Sequence, residues 1–137
     1  MSLATKLSGG NSPAEIRTAI SRCYYSVFNV SVGFLKGMGF RVSESPSGHG
    51  EVQRCLSNST QKNVQRVGSQ LADLHSRRVQ ADYRLDRKEI ENQKNAQAIV
   101  IQAQKMIQTL DESLTGPTRE RIIDSIRHYL EKLRPRP

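Results

Sequence analysis

The chain has 137 residues, of which 36% are hydrophobic and 25% charged, and it carries a net charge of +8. This length suits one domain, and the composition is that of a globular protein, which excludes an intrinsically disordered chain. Residues 1–11 lack the apolar run of a signal peptide, and no stretch of about 18 apolar residues exists to span a membrane. We therefore expect a cytoplasmic protein without a membrane partner. The absence of Trp and the scarcity of Phe and Tyr favour helices over a sheet.

The positive charge is carried mainly by arginine, the residue better suited than lysine to bidentate contacts with phosphate. It favours an anionic partner such as RNA, a nucleotide or an acidic protein, although solubility alone would also explain it. Two cysteines, Cys23 and Cys55, are too few for a disulfide scaffold. The histidines at 49, 75 and 128 are scattered, so we expect no metal site and no cofactor.

The first predicted helix begins after Ser12, because Ser-Pro-Ala-Glu is a capping box with proline at the first helical position. It ends near Gly37, and a loop over 37–50 precedes a short helix over 51–56. Between Ser12 and Gly37 the apolar residues keep close to a 3.6-residue period. They are Ile16, Ile20, Cys23, Tyr24, Val27, Phe28, Phe34 and Leu35.

The third predicted helix has an apolar stripe that continues into an arginine. The stripe consists of Val64, Val67, Leu71 and Leu74. Its next position is Arg78, and an arginine on an inward face needs an anion, a partner subunit or a cleft. Asp82 lies one turn further on as an ion-pair partner. Alternatively, Arg78 extends outward at the helix end or only pairs with Asp82.

A fourth helix is predicted to begin at Asp86, as its cap, and to end at 115–117. Its apolar series is Ile90, Ala96, Val100, Ala103, Ile107 and Leu110. A last helix from about Thr118 has one apolar face and one basic face, which an ordinary solvated helix surface would also explain. We predict an all-α, up-and-down bundle of four to five helices over 13–137, with a basic C-terminal helix over 118–137 and a flexible segment over 1–12.

Two segments carry a resemblance to a known family. The first is Arg-Thr-Ala-Ile-Ser-Arg-Cys-Tyr-Tyr-Ser-Val-Phe at 17–28, and the second is Leu-His-Ser-Arg-Arg-Val-Gln-Ala-Asp-Tyr at 74–83. Together they resemble the branch of the HEPN family (higher eukaryotes and prokaryotes nucleotide-binding domain) with the motifs SRxYYxxF and RxxADY. His49 before Val52 matches a histidine that this branch often has before a short helix. The similarity covers about residues 13–110 and does not extend to the basic helix after Thr115.

The resemblance implies a helical bundle that dimerises. Many members are metal-independent ribonucleases, and some are toxins paired with a small nucleotidyltransferase. Their active motif is an arginine followed, after four to six residues, by a histidine. In that pairing the arginine neutralises the scissile phosphate and the histidine moves the proton of the 2′-hydroxyl.

This sequence departs from the nucleolytic motif, because Tyr83 stands where such members have histidine. The ordinary tyrosine pKa is about 10, so Tyr83 is a poor general base near neutrality, although its hydroxyl can donate to a phosphate. His49 remains a candidate base from another helix. We therefore expect very slow RNA cleavage or none.

Three functions follow as hypotheses. The leading one is a nucleotide- or RNA-binding HEPN module of a toxin–antitoxin or defence system, which functions as a homodimer. Its binding residues would be Arg78, Asp82 as the group that orients it, Tyr83 and Arg22. The second is a weak metal-independent endoribonuclease with Arg78 and either Tyr83 or His49 as catalytic residues. The third is a non-catalytic structural dimer subunit.

Overall fold

The computed structural model describes residues 12–83 and 93–134. Within these ranges the chain forms helices and no strand, which confirms the predicted all-α class. The helices are α1 (Pro13–Gly37), α2 (Gly48–Ser57), α3 (Lys62–Tyr83), α4 (Gln93–Glu112) and α5 (Gly116–Lys132).

The ends of α1 follow the predicted signals. At its start the backbone N–H of Glu15 donates to the Ser12 hydroxyl over 3.3 Å, which satisfies one of the unpaired amides of the first turn. At its end Gly39 adopts a φ of +91°, a conformation that glycine enters without steric cost. The N–H of Phe40 then returns to the carbonyl of Leu35 over 3.0 Å, which closes the helix.

Helix α2 begins at Gly48, three residues before the predicted start at 51. The extra turn forms because the N–H of Gly48 donates to the carbonyl of Ser45 over 2.9 Å, in a segment that the sequence pattern assigned to a loop. Gly48 also lies against the backbone of Ser43, where a Cβ would approach the carbonyl oxygen to 2.2 Å. The early start places His49 within the first turn of α2, and therefore on a rigid element.

The predicted cap of α4 at Asp86 and the first member of its stripe, Ile90, lie outside the described residues. The remaining apolar face of α4 is buried as predicted, except that Ile107 is only half-buried. Helix α5 begins at Gly116, two residues before the predicted start, and its apolar residues Ile122, Ile123 and Ile126 are buried.

The core lies between α1 and the two helices that pack against it, α3 and α4. Helix α2 packs mainly on α3, and α5 contacts α2. The largest fully buried side chains come from all five helices and include Tyr24, Ile20, Leu56, Leu71, Leu110 and Ile126. None of the described helices is long and apolar enough to cross a membrane.

Candidate functional site

The arginine that continues the stripe of α3 lies at the edge of the core. All four apolar residues before it are buried, and the Arg78 side chain is 16% exposed. Its Nε lies 3.1 Å from Oδ2 of Asp82, and its Nη2 donates to the Tyr25 hydroxyl over 2.5 Å. The Ser21 hydroxyl donates to the same Asp82 oxygen over 3.5 Å. Arg78 is therefore held by groups from α1 and α3.

A second tyrosine of α1, Tyr24, is hydrogen-bonded to a histidine and determines which ring nitrogen carries the proton. Tyr24 is fully buried, and its hydroxyl is hydrogen-bonded to Nδ1 of His49. Burial raises the pKa of Tyr24 far above its usual range, although the charge of Arg78 acts in the opposite direction. The phenol thus keeps its proton. We assign its O–H as the hydrogen-bond donor to Nδ1, because this arrangement satisfies the buried hydroxyl hydrogen. In neutral His49 the ring proton then resides on Nε2.

A second histidine completes the site. His75 lies three residues before Arg78, and its ring is stacked on that of His49 with 5.1 Å between centroids and 6° between planes. The ring of Phe28 lies 4.5 Å from His49 by centroid.

Both imidazoles are biased toward the uncharged form. Burial, followed by the charge of Arg78, lowers the pKa of His49 below its ordinary value. Burial, then His49, then Arg78 lower the pKa of His75. At neutral pH the pair is therefore uncharged.

Two open clefts flank this group. The first, of about 480 Å³, is lined by Glu44, Ser45, Pro46, His49, His75 and Arg78. The second, of about 440 Å³, is lined by Arg17, Thr18, Ser21, Arg22, Tyr25, Ala81 and Asp82. We call them the histidine cleft and the Arg22 cleft.

The structure thus divides the predicted site residues. Arg78 and His49 meet in the histidine cleft, whereas Arg22 and Asp82 line the Arg22 cleft. Tyr83 is the last residue of α3, and its side chain lies outside the described residues.

Sequence reasoning missed two residues near the site. The scattered positions of the histidines predict no role for His75, although a spacing of three from Arg78 places both on one helix face. Arg17 is 7% exposed, and its Nη1 donates to the carbonyls of Gln80 over 3.2 Å and Ala81 over 2.9 Å. Arg17 thereby joins α1 to the last turn of α3.

Chemically, the histidine cleft combines a fixed cation with two neutral imidazoles. Such groups can neutralise a phosphate, donate hydrogen bonds to it and exchange protons near pH 7. Among the described residues there is no cluster of three or more His, Cys, Asp or Glu that could hold a metal ion. Comparison of the chain with models of protein families, with curated proteins and with solved structures found no match.

Proposed function

We propose that the chain is an RNA- or nucleotide-binding module of the HEPN type that holds a phosphate group in the histidine cleft. One observation carries this proposal: Arg78 is held at the cleft wall by Tyr25 and Asp82, beside the stacked rings of His49 and His75. A guanidinium fixed in place before binding loses little conformational freedom when an anion arrives, and this favours affinity.

The two motifs that resemble the HEPN family meet at this point. Tyr25 belongs to the first motif, and Arg78 and Asp82 belong to the second. Their hydrogen bond and ion pair supply a physical reason for both motifs to occur together. This supports the HEPN proposal, and with it a homodimer and a small nucleotidyltransferase as partner in a toxin–antitoxin or defence system. Light scattering after size exclusion should report about twice the chain mass of 15.4 kDa.

The binding test compares two adjacent arginines. Arg78→Ala removes the cation of the histidine cleft. Arg77→Ala makes the same change of charge at a side chain that is 41% exposed and that pairs with Asp73 over 3.2 Å. By fluorescence anisotropy with single-stranded RNA, Arg78→Ala should weaken binding by about 1–3 kcal/mol, because a charged, partly buried contact is lost.

Arg77→Ala should have a smaller effect, and wild-type affinity should fall steeply as salt rises, because phosphate contacts release counterions. Equal losses in the two variants would contradict a site at Arg78. Binding would then reflect general charge, for example that of the exposed basic face of α5.

A second candidate function, metal-independent RNA cleavage, is favoured by the two histidines beside Arg78. The Tyr24 hydroxyl donates to Nδ1 of His49, which leaves Nε2 protonated, so His75 is the better proton acceptor. We still expect little or no wild-type cleavage in EDTA. Rapid cleavage that is lost in Arg78→Ala and in His75→Gln would replace the binding proposal with an enzymatic one. A gain of cleavage in Tyr83→His that Arg78→Ala abolishes would show that only the base is missing.

A further inference from the structure

The histidine cleft has no net positive charge when its imidazoles are neutral. The charge of Arg78 is opposed by Asp82 at 3.1 Å, and Glu44 lines the same cleft from the loop between α1 and α2. One cation thus faces two carboxylates. These three groups sum to a negative charge, so a stable complex with an anion needs further positive charge in the cleft.

The two imidazoles are the groups that can change this balance. The parallel stack brings two positive charges close together if both rings are protonated, and Arg78 adds a third. Other ionisable groups at the pair are Tyr24 and Tyr25, which approach His49 from α1. Burial raises the pKa of Tyr24, so its phenol adds no charge near neutrality. Without an anion, protonation of the pair is therefore opposed by mutual repulsion and by burial. At His49 the new proton is added at Nδ1, where the Tyr24 hydroxyl must turn from donor to acceptor.

We infer that the histidine cleft is a proton-linked site for a doubly charged terminal phosphate, in which His49 and His75 take up protons as the phosphate binds. This inference rests on the proposed function and names its ligand class. A terminal phosphate carries close to two negative charges near neutral pH, whereas an internal phosphodiester carries one. The terminal group therefore compensates the repulsion among Arg78, His49 and His75 more fully, and its affinity rises as the pH falls.

The proton linkage can be measured directly by NMR titration of the three histidine rings, with sulfate as the probe. Sulfate keeps two charges across the range in which histidine titrates, so it adds no proton equilibrium of its own. At constant ionic strength, replacing chloride with sulfate should raise the pH at which the rings of His49 and His75 are half-protonated, that is, their titration midpoints. His128, exposed on α5, is the internal control and should not move.

Arg78→Ala provides the matched variant for this titration. It should raise both midpoints in chloride, because a repulsive charge is removed, and it should reduce the effect of sulfate. Midpoints of His49 and His75 that are the same in sulfate and chloride would overturn the inference. So would equal movement of all three histidines, since that would show only a general effect of the ion.

The ligand class is tested with RNA oligonucleotides of one sequence that carry a 5′-phosphate, a 3′-phosphate or neither. The phosphorylated forms should bind more tightly, and their advantage should grow between pH 7.5 and 6.5, where the terminal phosphate keeps most of its second charge, by up to about tenfold per pH unit for each proton taken up. The His49→Gln, His75→Gln double variant should lose this pH dependence. Whichever of the 5′- and 3′-phosphorylated RNAs binds more tightly identifies the RNA end whose phosphate the cleft takes.

The outcomes separate the two proposals. Equal affinity of all three oligonucleotides at both pH values, with Arg78→Ala still weakening binding, would overturn the inference and leave the proposed function intact. A sulfate effect on His49 and His75 without binding of any RNA or nucleotide would reject the proposed function while the anion site remained.

Discussion

Tyr25 and Arg78 are joined by a hydrogen bond in which the guanidinium Nη2 donates to the phenolic oxygen over 2.5 Å, across 53 positions of the chain. The bond connects α1 with the last turns of α3. Because Asp82 holds the Nε side of the same guanidinium, the side chain is restrained from two directions. Such restraint gives the histidine cleft a fixed cation in place of a mobile surface arginine.

Tyr25→Phe should loosen Arg78 without removing its charge. We expect the free energy of unfolding to fall by about 1–2 kcal/mol, because a hydrogen bond to a charged group is lost. RNA affinity should fall less than in Arg78→Ala, because Asp82 still orients the guanidinium. Urea denaturation and anisotropy measure the two effects. Tyr129→Phe, at a half-buried position of α5, is the control, and an equal effect there would contradict a specific role for Tyr25.

Tyr24→Phe should remove the hydrogen bond that selects one tautomer of neutral His49. In the wild type we expect nitrogen NMR to find the proton of neutral His49 on Nε2, because Tyr24 donates to Nδ1. The variant should show a mixture of the two tautomers. It should also lower the free energy of unfolding by about 1–2 kcal/mol, since a partly buried acceptor loses its partner. A wild-type proton on Nδ1 would reverse the assignment and make His49 an available base.

Stability should depend on pH through the two stacked histidines. In the folded protein their pKa values lie below the ordinary 6.5. Both histidines therefore bind protons more readily in the unfolded chain than in the folded one. Their contribution to the free energy of unfolding is present above pH 6.5. It is lost as the pH falls toward the pKa values of the two histidines in the folded state. Urea denaturation in chloride should therefore give lower unfolding free energies at pH 5.5 than at 7.5.

The contribution of the pair is the difference between the wild type and the His49→Gln, His75→Gln double variant over the same range. The variant should show a flatter pH dependence. Parallel curves for the two proteins would show that other groups cause the loss.

Arg17 should stabilise the end of α3 on which Arg78 and Asp82 lie. Arg17→Met keeps most of the side-chain volume but leaves the carbonyls of Gln80 and Ala81 without this donor. We expect a loss of about 1–3 kcal/mol in unfolding free energy and faster amide exchange at the end of α3. Arg22→Met, at an exposed position of α1, should stay within about 0.5 kcal/mol of the wild type. Equal effects would contradict a specific role for the hydrogen bonds of Arg17.

Two glycines of the bundle should respond to alanine with opposite signs. A Cβ on Gly68 would lie 2.5 Å from the Ser57 hydroxyl oxygen and 2.6 Å from its backbone nitrogen, so α2 and α3 would have to separate. We expect Gly68→Ala to lower the free energy of unfolding by about 1–3 kcal/mol. Gly33, within α1, has nothing within 4 Å of its Cβ position, and Gly33→Ala should stabilise by about 0.5–1 kcal/mol. Thermal or urea denaturation checks both, and a stabilised Gly68→Ala would contradict the close packing of these helices.

Over the described residues the sequence alone was sufficient to predict that the chain is helical, because helix signals act between neighbours three or four residues apart. The capping box at Ser12, the stripe that leads to Arg78 and the pairing of Arg78 with Asp82 are all of this kind. Even the start of α2 was displaced by only three residues, where the hydrogen bond from Gly48 to Ser45 extends the helix into a loop sequence.

What only the tertiary structure decided is which distant residues meet at Arg78. His49 stacks on His75, 26 positions away, and Tyr25 reaches Arg78 across 53, because α1, α2 and α3 pack together. The same packing directs Arg22 to a different cleft, although it is three residues from Tyr25 in the motif. Periodicity defines which face of a helix is buried, but not which part of another helix covers it, since that depends on how side chains of both helices interlock.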